Sequence, residues 1–200
     1  MKSISKLAIL TAALALGLSA ANVNAQTFAH GRFAHRNANG GVTTGHGTAV
    51  RGANGGYARR GRVTTTNGQG QGATASGGSF RAANGAQGSR HGSTTWNNGN
   101  VAHQGALQAS GPNGSVQSTG SSQRSANGQF SGDRSTSATG ANGGTYQGNT
   151  SFQNGSATHT TDATNKSGDT YQGETTYTKG QGVTHTGSCT DSSGQTIPCK

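Results

Sequence analysis

The sequence predicts an all-β chain built from Gly/Thr-rich β-hairpin repeats, and three observations predict it. Asn-Gly pairs recur along the chain, beginning at Asn39, Asn54, Asn67, Asn84, Asn98, Asn113, Asn127, Asn142 and Asn154. Both residues tolerate positive φ, so the pair suits the tight turns that join antiparallel strands. Between the turns of the C-terminal half lie runs rich in Thr, Tyr, Phe and Val, which are strand formers. No helix is expected after residue 25, because Gly interrupts every window at a cost of about 1 kcal/mol each.

Residues 1–25 read as a cleavable secretory signal peptide. Lys2 and Lys6 form a short positive start, Leu7 to Leu18 form an apolar run, and Val23-Asn24-Ala25 supplies small residues for cleavage after Ala25. The apolar run is shorter than the roughly 20 residues that span a bilayer. No second apolar stretch follows it, so no transmembrane segment is expected in the mature chain. A leader of this kind suits a bacterium. The expected location is outside the cytoplasm: periplasm, cell surface or extracellular space.

The composition after the leader argues against a conventional core. Thirty-five of these 175 residues are Gly, and Leu, Ile, Val and Phe together number 13. That is far below the roughly 20% at which a packed core becomes doubtful. Ordering Gly also costs more backbone entropy than ordering any other residue. The filler is Thr, Ser, Asn, Gln and Gly, with few charges. Such chains can pair backbones and stack polar ladders, so a solenoid-like or cross-β architecture stays open.

Charge and repetition divide the chain near Pro112. Residues 26–100 hold eight Arg and no Asp or Glu, whereas residues 101–200 hold five basic and five acidic residues. In the second half Thr145-Tyr146-Gln147-Gly148 recurs as Thr170-Tyr171-Gln172-Gly173, 25 residues on. Ala157-Thr158-His159-Thr160 recurs loosely as Val183-Thr184-His185-Thr186, 26 residues on. Each copy reads as two short strands around a turn, with turns expected near Asn154-Gly155, Lys179-Gly180 and Ser193-Gly194. The expected organisation is therefore a leader at 1–25, an Arg/Gly-rich basic arm at 26–111 and a Thr-rich β-repeat region at 112–200. Low strand propensity and high turn content make the arm largely disordered in this reading.

The candidate sites are few. Cys189 and Cys199 are the only cysteines, an even pair in an exported chain, and are expected to form a disulfide across the turn at 191–194. The seven His are scattered, and no metal site is expected from their spacing. The stretch Arg51-Gly52-Ala53-Asn54-Gly55-Gly56-Tyr57-Ala58-Arg59-Arg60-Gly61-Arg62 resembles the RGG-type segments of nucleic-acid-binding proteins. That resemblance implies a polyanion-binding role for Arg51, Arg59, Arg60 and Arg62, with Tyr57 as a stacking face. No nucleophile elbow, phosphate loop or carboxylate pair is present, so the sequence reads as a non-enzyme without cofactors.

Two function classes remain. One is a structural or adhesive repeat protein of the envelope or extracellular matrix that forms homo-oligomers or fibres. The other is a soluble exported module that captures an anionic polymer: extracellular DNA, lipopolysaccharide or acidic polysaccharide.

Overall fold

The structure, a computed structural model, describes residues 27–199. The proposed leader lies outside the described residues. Thirteen strands follow one another: β1 (Thr27–Arg36), β2 (Val42–Arg51), β3 (Tyr57–Thr66), β4 (Gln71–Arg81), β5 (Gln87–Asn97), β6 (Asn100–Gly111) and β7 (Gly114–Arg124), then β8 (Phe130–Gly140), β9 (Thr145–Gln153), β10 (Ser156–Thr164), β11 (Thr170–Thr178), β12 (Gly182–Thr190) and β13 (Thr196–Ile197). They form one antiparallel sheet in chain order, β1 to β13, and the sheet does not close. Every strand packs only on its neighbours in sequence. No helix occurs among the described residues.

The turns explain why the chain folds back where it does. All nine Asn-Gly pairs fall between successive strands. Seven connections share one hydrogen-bond pattern. In the turn at 52–56 the Gly52 N–H donates to the Gly56 carbonyl and the Gly55 N–H donates to the Gly52 carbonyl, with Gly55 at φ 79°. This is a type I turn closed by a residue in the left-handed region, a standard three-residue hairpin loop. Asn98-Gly99 and Asn154-Gly155 instead form two-residue turns in which both residues have positive φ, at 48° and 84° and at 48° and 90°.

The C-terminal expectations hold. Turns sit at Asn154-Gly155, Lys179-Gly180 and Ser193-Gly194. The repeated Thr-Tyr-Gln-Gly units lie on β9 and β11, with Tyr146 and Tyr171 at equivalent register. The N-terminal half differs from its expectation. Residues 27–111 are not irregular: they form β1 to β6, with ladders as regular as those further on. The physical reason is that backbone hydrogen bonds and turn geometry, both nearly independent of side-chain type, outweigh the weak strand propensity of Gly and Arg. Pro112 sits in the β6–β7 turn, where it has no ladder hydrogen bond to donate, and the sheet runs on through it. The repeat is a flat meander rather than a solenoid.

No hydrophobic side chain is buried among the described residues, and Ser118, at 6% exposure, is the one buried polar side chain. Packing is instead organised within the two faces of the sheet. Side chains alternate along a strand, so the pairing register assigns each residue to a face. One register row runs across all 13 strands: Phe28, Val50, Ala58, Phe80, Gly88, Ala109, Val116, Ala138, Tyr146, Ala163, Tyr171, Cys189 and Ile197. Rows two, four, six and eight residues away on the same face add Leu107, Trp96, Val101, Phe130, Phe152, Tyr177 and Val183. Only Phe33, Tyr57 and Val63 of the larger apolar side chains lie on the other face. We term these the apolar face and the polar face.

Aromatic rings recover part of the missing burial by lying over glycines. Trp96 pairs directly with Gly72 and Phe80 with Gly88, and a methyl group added at Gly72 would land in the Trp96 indole. Tyr171 covers Gly173 and reaches Gly187. A ring over an unsubstituted backbone protects hydrogen bonds that a single sheet otherwise leaves wet. Phe130 and Phe152 meet edge to face with centroids 4.9 Å apart.

Two measurements check this account. Gly55→Ala forces a side chain into the left-handed region and should destabilise by about 1 kcal/mol. Gly31→Ala, where the new methyl meets nothing within 4 Å, should be neutral or slightly stabilising because it stiffens the unfolded chain. Urea midpoints read both. Amide hydrogen exchange should show protection in β2–β5 comparable to that in β8–β11, with the least at β1 and β13.

Candidate functional site

Alternation divides the predicted polyanion-binding residues between two surfaces. Arg60 and Arg62 project from β3 onto the apolar face, whereas Arg51, Tyr57 and Arg59 lie on the polar face. Arg59 is engaged there: its Nε donates to Ser79 Oγ at 3.0 Å across the strand pair. The sequence segment 51–62 is therefore not one binding surface.

The register brings together a different set. Arg32, Arg36, Arg60, Arg62, Arg90, Arg124 and Arg134 all lie on the apolar face, seven of the ten Arg in the chain. The acidic residues on strands, Asp133, Asp162 and Glu174, all lie on the polar face, and Asp169 and Asp191 sit in turns. The apolar face thus combines aromatic and aliphatic side chains with cations and, among the described residues, carries no carboxylate on any strand. Arg134 is held down by its Nε hydrogen bond to Ser118 Oγ at 3.0 Å.

Two hollows of similar size show how the faces differ. On the apolar face a trough of about 490 Å³ is lined by Phe28, Val50, Phe80 and Leu107, with Arg60 and Arg90 beside them. On the polar face a hollow of about 480 Å³ is lined by Ser93, Gln104, Ser121, Gln123 and Asp133. There Ser121 Oγ donates to Asp133 at 2.6 Å. The first trough suits an apolar body with an anionic end; the second offers only neutral polar groups and one negative charge.

Histidines follow a cross-strand rule that spacing did not reveal. His103, His159 and His185 each face a threonine on the adjacent strand, with Nδ1 at 2.8 Å from the hydroxyl of Thr94, Thr150 and Thr175 respectively. His159 and His185 thus occupy matching positions in the repeat. No group of three or more metal-ligating side chains comes together among the described residues.

Cys189 and Cys199 form a disulfide, with Cα atoms 5.3 Å apart. It closes the last hairpin, in which only Cys189 and Thr190 pair with β13. Asp191 caps the same turn, accepting from the Ser193 N–H, the Ser193 hydroxyl and the Gln195 N–H at 2.7–2.9 Å. These bonds, the Ser193 hydroxyl first, lower its pKa.

No family model matches the chain, no curated protein matches its sequence, and no solved structure matches its fold. Among the described residues no helix is long and apolar enough to cross a membrane.

The C-terminal hairpin yields a pH prediction. The folded pKa of Asp191 lies below its unfolded value, so its contribution is present above the unfolded pKa and lost as pH falls through the folded one. Acidification below the ordinary carboxylate range should loosen residues 189–199, and Asp191→Asn should remove that dependence. Reduction of the disulfide should release β13 while leaving the ladder from β1 to β11 intact. Amide exchange resolved by residue reads both outcomes.

Proposed function

We propose that this chain is an exported structural and adhesive protein. It extends into larger β-sheet layers by edge addition and contacts other surfaces through its apolar, Arg-bearing face. The observation that carries this reading is the unclosed single-layer sheet. Among the described residues β1 has a ladder partner on one side only, over all ten of its residues. On the far side, β12 offers Gly182–Ser188 without an outer partner, since β13 covers only its last two residues. Such unpaired rows of N–H and C=O groups are templates for another strand. Neither edge carries a proline inside the strand, and β12 carries no charge apart from any on His185. Export rests on the leader sequence at 1–25, with the disulfide in keeping with an oxidising compartment.

A second reading is favoured by the charge distribution. Seven Arg on one face with no opposing carboxylate suit a monomeric module that captures DNA, lipopolysaccharide or acidic polysaccharide. Counterion release would make such capture fall steeply with salt.

Sedimentation and negative-stain microscopy of the purified protein separate the two. Edge addition gives ribbons or a ladder of oligomers that lengthen with concentration. Ala29→Lys with Phe33→Lys on β1 should shorten them, because edge lysines repel an incoming strand. A monodisperse monomer at all concentrations that binds polyanions in a salt-sensitive way would replace the first reading with the second.

A further inference from the structure

We infer that the trough on the apolar face is a binding site for an acyl-chain amphiphile with an anionic head group, held between Arg60 and Arg90. The inference extends the adhesive reading by naming the ligand class, and it rests on that face being uncovered in the unassembled protein.

Register places the two arginines. The row on the apolar face reads His30, Thr48, Arg60, Gly78, Arg90 and Leu107 across β1 to β6. Arg60 and Arg90 are therefore two strands apart, about 9–10 Å at the backbone. Gly78 between them carries no side chain. A phosphate or carboxylate over Gly78 would be reached from both sides by guanidinium groups, which favour such oxyanions with forked hydrogen bonds.

The adjacent row supplies the apolar half. Phe28, Val50, Ala58, Phe80 and Ala109 line the trough beside the two arginines. Its volume of about 490 Å³ falls within the usual range of about 300–1,000 Å³ for small-molecule sites. Beyond it, the apolar row continues through Val116, Ala138, Tyr146 and Ala163. A chain lying across the strands would meet apolar surface along its length, while its charged end stays beside the arginines. A polyanion such as nucleic acid would use the arginines but leave this trough unfilled. Charge complementarity is one-sided, because no strand carries a carboxylate on this face to compete.

Isothermal titration of the disulfide-bonded protein tests this, with dodecyl phosphate below its micellar concentration as the probe. Dodecyl maltoside controls for the chain, and inorganic phosphate and oligothymidylate control for the charge. Dodecyl phosphate should bind at least about tenfold more tightly than any control. Arg60→Gln with Arg90→Gln should abolish that preference over the maltoside, Phe80→Ser should weaken both amphiphiles, and Arg124→Gln, outside the trough, should change neither. Circular dichroism confirms that each variant keeps its sheet. Equal binding of both dodecyl compounds, a preference that survives the double substitution, or oligothymidylate binding as tight as dodecyl phosphate would overturn the inference. None of these outcomes bears on edge addition, which is read by sedimentation without ligand.

Discussion

Backbone hydrogen bonds between strands adjacent in sequence carry this fold, because nothing else is available to do so. Most domains bury a sheet face against a second layer. Here no second layer exists among the described residues, and even the largest apolar side chains stay partly wet, with Phe28 and Val183 at 67% exposure. Each strand gains a few tenths to about 1 kcal/mol per cross-strand side-chain pair, set against backbone entropy of about 1–2 kcal/mol per residue. Such a balance favours anything that adds pairs, which makes the unpaired edges and the apolar face the natural places for association. Contacts confined to sequence neighbours also shorten the loops that must close during folding, an advantage seldom available to β proteins.

Glycine plays opposite parts in the turns and in the strands. At turn positions such as Gly55 it permits the left-handed conformation that closes the hairpin. Within strands it lets aromatic rings lie flat over neighbouring backbone, as Trp96 does at Gly72 and Tyr171 at Gly173. The shallow relief left by Gly78 and Gly88 also shapes the trough on the apolar face. A composition that looks too poor in side chains to fold is thus matched to a single layer, where large side chains on both faces would have nowhere to go.

The hairpin pattern was legible because Asn-Gly pairs mark turns by local geometry alone. The strands of the N-terminal half were not, since Gly-Arg-Gly-Arg stretches such as 59–62 carry little strand propensity and their order comes from pairing with β2 and β4. The regular turn spacing, similar in both halves, was the signal that such propensity reasoning outweighed. The apolar face was hidden for another reason. Five-residue connections keep the same odd or even positions facing one way, but the two-residue turns at Asn98-Gly99, Pro112-Asn113 and Asn154-Gly155 reverse that parity. Arg90 and Leu107 therefore share a face although one position is even and the other odd. Without the register, Arg59 and Arg60 looked like parts of one basic cluster. The disulfide was legible, because a short loop with two cysteines leaves little choice.

The meander has a metric consequence. Each added strand widens the sheet by one hydrogen-bonded spacing of about 4.8 Å, so the twelve steps from β1 to β13 correspond to a width of about 58 Å. No strand touches any but its neighbours, so hairpins can be gained or lost in the gene without repacking a core. The 25-residue echo between β9–β10 and β11–β12 is what one such duplication would leave behind. Number of hairpins and molecular width are then the same quantity, and the protein is in effect a ruler whose length is written in its turns.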